Sequence, residues 1–249
     1  MVRVTGTYHT AIVAGETVKA FVPNPLPPGN PPLLLEGDLA CLYGEALAAV
    51  EKLAVAGSVV PSVNWFLYGF VRKEAVVSSQ IEGTQATLMD VLTYEATHKT
   101  RRPADVREVC NYVEALMYAR AEIARPGGLP LCMRLLCETH ERLMRGASGP
   151  GKQPGVVRTS QNWIGGARPA NARFVPPPPH IVPQALADLE RWLHADPELA
   201  SGLPPLVRAG LAHVQFETIH PFLDGNGRTG RLLITLLIEH WAILPSPLL

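Results

Sequence analysis

The residues best equipped for chemistry lie in one stretch of twelve, HPFLDGNGRTGR at positions 220–231. It holds an imidazole (His220), a carboxylate four residues on (Asp224), two glycines flanking Asn226, and two guanidinium groups three residues apart (Arg228 and Arg231). A largely aliphatic run at 232–238 follows, so the spacing predicts a loop that turns into a helix. The unpaired N–H groups of such a first turn attract an anion. Two arginines at the positive end of a helix are locally unfavourable, and an anion would offset them. Their three-residue step puts both on one helical face. The glycines allow a ligand close to the backbone. These parts supply a general base, a hard oxygen ligand for Mg²⁺, an amide cradle from Gly225 to Gly227 and two cationic clamps, which suits a polyphosphate. No Walker loop GxxxxGK[ST] is present, and His213, His220 and Asp224 do not reproduce the zinc motif H-E-x-x-H. A lone GNG or a lone RxxR would be an ordinary capped junction with solvated charges. Their concurrence within twelve residues argues for a site.

The same stretch matches HxFx(D/E)GNGRxxR at every defined position, and on it the chain resembles the Fic family. FVPNPLPP (21–28) resembles the amino-terminal region of a common Fic subgroup. QNWIGG (161–166) through FVPPPP (174–179) resembles its flap and the loop after it. The resemblance implies a mostly α, Fic-fold helical bundle with a small β-hairpin flap and an amino-terminal helical region. It implies a protein adenylyltransferase that moves AMP from ATP to a hydroxyl of a target protein by in-line attack at the α-phosphorus. On that resemblance His220 takes the hydroxyl proton, Phe222 anchors the loop, and Asp224 holds Mg²⁺ between the α- and β-phosphates. Gly225, Asn226, Gly227, Arg228, Thr229, Gly230 and Arg231 would form the ATP site, with a side-chain contact from Asn226 and the arginines on the outer phosphates. Trp163, Ile164, Gly165 and Gly166 would dock an extended target segment through main-chain hydrogen bonds.

By periodicity alone, SSQIEG (78–83) is helical and leaves Glu82 a solvated glutamate. The resemblance gives it a role: Ser78, Glu82 and Gly83 fit the inhibitory motif (S/T)xxxE(G/N), whose glutamate reaches the second motif arginine, here Arg231. Some family members use this glutamate to remove AMP. AMP removal, another Fic-type phosphotransfer, or a nucleotide-binding regulatory module without turnover are therefore the competing readings. An intact His220 and Asp224 argue against the last. Self-modification is expected beside the target. A homodimer that controls access to Glu82 is compatible with the sequence, although no residue marks an interface.

The elements that must position these groups are helical. Three- and four-residue apolar spacing predicts helices over about 33–56, 64–94 with an interruption near Gly83, 103–123, 129–144, 183–194, 204–219 and from the GNGRTGR segment to about 241. Residues up to about 32 read as an irregular, proline-stiffened arm, and 156–175 as a small hairpin. The expected division is 1–100 as an amino-terminal region with the inhibitory helix and 101–249 as the catalytic domain. Chains of this subgroup usually continue past a segment like 243–249 into further helices. The 249 residues carry 22 basic and 22 acidic side chains, a balance that disfavours nucleic acid as a partner. No signal-type start and no bilayer-length apolar run occur, and four single cysteines read as buried, reduced thiols. A soluble, cytoplasmic protein is the expectation.

Overall fold

The computed structural model describes residues 3–29, 31–59, 63–146, 152–196 and 202–244. The chain opens with an antiparallel hairpin, β1 (Gly6–Val13) and β2 (Glu16–Pro23). Helices α1 (Gly37–Val59), α2 (Val63–Ile81), α3 (Leu88–Thr97), α4 (Pro103–Ala124) and α5 (Met133–Leu143) follow. After a stretch with one 3₁₀ turn (Pro169–Asn171) come α6 (Val182–His194), α7 (Pro205–Ile219) and α8 (Asn226–His240). Fold class is as expected: mostly helical with one small ladder. No helix among the described residues is long and apolar enough to cross a membrane.

Local chemistry explains the boundaries. Pro103 occupies the first turn of α4, where its missing N–H costs nothing. Thr87 and Asp90 close a reciprocal capping box on α3. The interruption expected near Gly83 is a complete break between α2 and α3, made where Gly83 takes φ +100°. Helix α4 is the central beam, with Val106, Val109, Tyr112, Ala115, Leu116 and Ala119 all fully buried on one stripe. It packs against α2, α3, α5 and α8, while α7 packs against α6, α8 and β2. Helix α8 completes the core through Leu232, Leu233, Leu236 and Leu237. Helix α1 lies outside it, joined through Val50, Leu53 and Ala54 to a small cluster around Ile238 and Leu244.

The extended structure is not where the sequence put it. The expected hairpin at 156–175 reduces to a single antiparallel bridge, Ile164 to Phe174. The arm read as irregular instead forms the eight-pair ladder of β1 and β2. Ala14 and Gly15 both take positive φ, the two-residue turn that matches strand twist. Val18 and Ala20 alternate inward and meet Val13 and Val175 in a small core of their own. The Phe21 N–H donates to the Val175 carbonyl at 2.8 Å, which joins the hairpin to the stretch carrying Phe174. The cysteines also divide: Cys132 is buried, Cys110 and Cys137 are half-buried, Cys41 is exposed, and all four are free.

Candidate active site

Helix α7 ends when His220 enters the left-handed region (φ 51°, ψ 62°) and its N–H caps the Phe216 carbonyl at 2.9 Å. That conformation is uncommon for a residue with a side chain, and buried partners hold it. Arg158, almost fully buried, donates from Nε to the His220 carbonyl (2.8 Å) and from Nη2 to the Ile219 and Pro177 carbonyls (3.3 and 2.7 Å). Phe222 drops into the core and stacks on His140 with ring centroids 3.7 Å apart. His140 accepts the Gly155 N–H on Nδ1 (2.8 Å), so its Nε2 carries the proton and donates to the Asp224 carbonyl (2.9 Å). Gly225 then turns the chain into α8 at φ 76°, with the Met144 sulfur only 2.7 Å from where a Cβ would stand.

Three residues expected in the ATP site, Asn226, Thr229 and Gly230, make their contacts within the protein. The Asn226 amide is consumed by the loop: Oδ1 accepts the Phe222 N–H (2.9 Å) and Nδ2 donates to the Phe222 carbonyl (2.8 Å). Its side chain therefore shapes the turn in this structure. Thr229 is buried, with both its hydroxyl and its N–H donating to the Gly225 carbonyl. Gly230 packs directly on Glu217 and His213 of α7.

The two arginines do not share one direction. Arg228 is buried and donates from Nη1 to Glu108 on α4 at 2.6 Å, with Nη2 3.8 Å from Asp224. Arg231 turns to the end of α2. It donates from Nε to the Ser78 hydroxyl (2.8 Å), and from Nη2 to the Ser78 carbonyl (3.0 Å) and the Glu82 carboxylate (2.6 Å). A Cβ on Gly227 would lie 2.3 Å from that Glu82 oxygen. Glu82 therefore rests against the first turn of α8, where helix N–H groups favour a negative charge. Sequence positions 149 residues apart meet there.

Charge around the site is arranged by burial. Burial drives the His220 ring down to about 4, aided by Arg158 and opposed by the Glu217 carbonyl and the carboxylates of Glu82 and Asp224. The ring is neutral at pH 7, and since Nδ1 is buried, the other nitrogen is the one on offer. Glu217 is pushed up to about 7 by burial, against the pull of Arg231. Burial pushes the Asp224 carboxyl up, but Lys152, the Gly225 N–H and Arg228 together hold it below its usual value. Asp224 is about one-third exposed and pairs through Oδ2 with Lys152 Nζ at 2.5 Å. No cluster of three or more His, Cys, Asp or Glu that could hold a metal occurs among the described residues. A single carboxylate of this kind suits Mg²⁺ that keeps its waters and arrives with phosphates.

The segment expected to dock a target is stapled to this loop. Ile164 exchanges backbone bonds with Phe174 (2.8 and 3.1 Å), and Gly165 and Gly166 form the turn at positive φ. Trp163 is partly exposed beside them. The Asn162 side chain donates to the Phe222 carbonyl at 3.1 Å, and Gln161 to the Pro176 carbonyl at 2.9 Å.

Comparison with known proteins agrees with this architecture. The profile of the Fic/DOC family matches residues 130–238, and that of the Fic/DOC family N-terminal region matches 41–121. The chain belongs to the Fic/DOC family. Among similar proteins, the protein adenylyltransferase Fic of Drosophila willistoni is 32% identical over 203 residues, covering 77% of this chain and 37% of that protein. The protein adenylyltransferase fic-1 of Caenorhabditis elegans is 36% identical over 103 residues, or 41% and 18%. The chain thus spans about a fifth to just over a third of these relatives' length. A Fic family protein from Desulfovibrio desulfuricans G20 superposes with a TM-score of 0.63 at 27% identity, covering 85% of this chain and 60% of that one. Fic-1 of C. elegans, at 22% identity and a TM-score of 0.60, shares the fold. Within this Fic chain, sequence reasoning missed His140, Arg158, Lys152, Glu108 and Glu217. None lies in a recognisable motif, and each acts by meeting the motif from another element.

Proposed function

We propose that this chain is a protein adenylyltransferase, transferring AMP from ATP to a hydroxyl of a target protein, and that Glu82 holds it inhibited. The observation that carries this reading is the Glu82 carboxylate on Arg231 and against Gly227, beside a neutral His220. A polyphosphate would need that same guanidinium and helix terminus. In the productive state Gly225 to Gly227 cradle phosphate oxygens, Arg228 and Arg231 hold the outer phosphates, and Asp224 carries Mg²⁺, which supplies charge neutralisation. His220 removes the target's hydroxyl proton. The oxygen bonds to the α-phosphorus as the bond to the β-phosphate breaks, and pyrophosphate leaves. The flap at Trp163 to Gly166 presents an extended segment of the target, or of a second copy in self-modification, to that nitrogen. Residues 1–100 serve as the inhibitory region and 101–249 as the catalytic domain.

Label transfer from α-phosphate-labelled ATP with Mg²⁺ tests this. Glu82→Gly is expected to raise label on protein at least about tenfold, because it restores the position of the phosphates. Glu82→Gly/His220→Ala is expected to abolish it. Equal labelling in wild type and Glu82→Gly removes the inhibitory role. Nucleotide binding with no label in any variant removes the transferase. Release of AMP from a modified protein, lost in Glu82→Gly, would instead assign the reverse reaction.

A further inference from the structure

Lys152 has no role in the proposed reaction, yet it pairs with the carboxylate that the reaction needs. Asp224 is rigid on one side: its carbonyl is held by His140 Nε2 (2.9 Å) and its Oδ1 by the Gly225 N–H (2.7 Å). Its other oxygen is capped by the Lys152 amine at 2.5 Å, more than a third exposed and on a flexible four-carbon stem. The motif's own Arg228 stands off at 3.8 Å. The amine therefore fills the coordination position that a divalent cation on Asp224 would take, and two cations cannot share one carboxylate oxygen without strong repulsion. Lys152 also lines a cavity of about 160 Å³ with Arg107, Glu108, Asn111, Arg145 and Arg228. Four cations face one acid there, and that acid already accepts from Arg228 and Thr84, so a lysine displaced into the cavity would still need a counter-ion. Phosphate oxygens would provide one.

Resting on the reading of Asp224 as the metal carboxylate, we propose that Lys152 is a resident counter-ion that makes the site selective for a metal–polyphosphate complex over the free metal. It holds Asp224 while the site is empty and weakens capture of a bare divalent cation. It yields when phosphate arrives with the metal and then pairs with that phosphate. Lys152 acts as a positioning residue here and takes no proton.

Mn²⁺ binding followed by electron paramagnetic resonance, with and without a non-hydrolysable α,β-methylene ATP, reads both halves without any turnover. Lys152→Ala in the full chain is expected to bind free Mn²⁺ about fivefold more tightly, in keeping with the loss of a half-exposed pair. It is expected to bind the Mn²⁺–nucleotide complex several-fold more weakly. Lys152→Arg, which keeps the charge, should match wild type towards free Mn²⁺. Unchanged free Mn²⁺ affinity in Lys152→Ala, tightening of both forms, or an arginine variant that behaves like alanine each overturns the proposal. Asp224→Ala separates the two levels. If it leaves both binding curves unchanged, Asp224 is not the metal carboxylate, and the reading beneath the proposal has failed with it.

Discussion

At the scale of residues, the site is governed by what burial does to charge. Glu82 and Arg231 pair at 2.6 Å with Glu82 about one-third exposed, so the pair by itself is worth about 1 kcal/mol or less. The Glu82–Arg231 contact is therefore soft. It gains from the helix terminus beneath it. Ser78→Ala removes one of the three bonds that aim Arg231 and is expected to raise labelling modestly, by less than Glu82→Gly, in the same transfer assay. Glu217 is a second acid at this guanidinium, half-buried with its Oε1 buried and unpaired, and faces Arg231, Glu82 and His213. Its folded value, about 7, lies above the unfolded one, so the folded state holds the proton more tightly. The stability this supplies is complete below the ordinary carboxyl value and is lost as pH rises through about 7. Glu217→Gln should accordingly melt higher than wild type at pH 8, by on the order of 2 kcal/mol, and equally at pH 4. Thermal melts across that range check it; a difference that does not depend on pH would contradict it. His220, His140, Arg231 and Glu82 differ in how far sequence exposed them. Two motifs name three of them, whereas His140 on α5 is read only once Phe222 is seen stacked on it.

At the scale of elements, the catalytic loop is a folded object in its own right. Asn226 closes it with two bonds to Phe222, and Thr229 pins its exit to the Gly225 carbonyl. Asn226→Ala leaves the buried Phe222 N–H without a partner and its carbonyl with the Asn162 amide alone. It is expected to cost about 2 kcal/mol, a fall of about 4–8 °C in Tm, besides loss of transfer. A melt unchanged within 1–2 °C would mean that the loop is held elsewhere. The helices themselves were readable to within a few residues, because each carries its own apolar period and its own stop signal. Pro103 opens α4 and a helix break comes at Gly83. The hairpin escaped because prolines at its far end drew attention from the Ala14-Gly15 turn and the alternation of Val18 and Ala20. The 156–175 stretch carried β-prone residues but makes only one bridge, since Pro176 to Pro179 offer no N–H for a ladder.

At the scale of the whole molecule, distant segments converge on residues 220–231. Ser78 comes from α2 and Glu82 from the turn that ends it, Glu108 from α4, His140 from α5, and Lys152 and Arg158 from the stretch after it. Arg158 is the central tie, its guanidinium donating to carbonyls on both sides of the site. Arg158→Leu strands those carbonyls and is expected to cost about 3 kcal/mol or more. Arg158→Lys, with a point charge in place of a planar fork, should recover only part of it. Denaturant melts of both would decide, and full rescue by lysine would show that charge alone matters. The hairpin and the flap also form one assembly, through Phe21 to Val175 and Ala170 N–H to Glu16 at 2.9 Å. From the sequence alone followed the helical class, the family, the loop that presents His220 and Asp224, and the pairing partner expected of Glu82. These rest on local periods and on a motif compact enough to be read in one window. The tertiary structure decided that Arg228 and Arg231 part company, that Asn226 and Thr229 serve the loop, and that Lys152 sits on Asp224. Those outcomes depend on which side chains from remote helices reach the same few ångströms, and no local pattern encodes that distance.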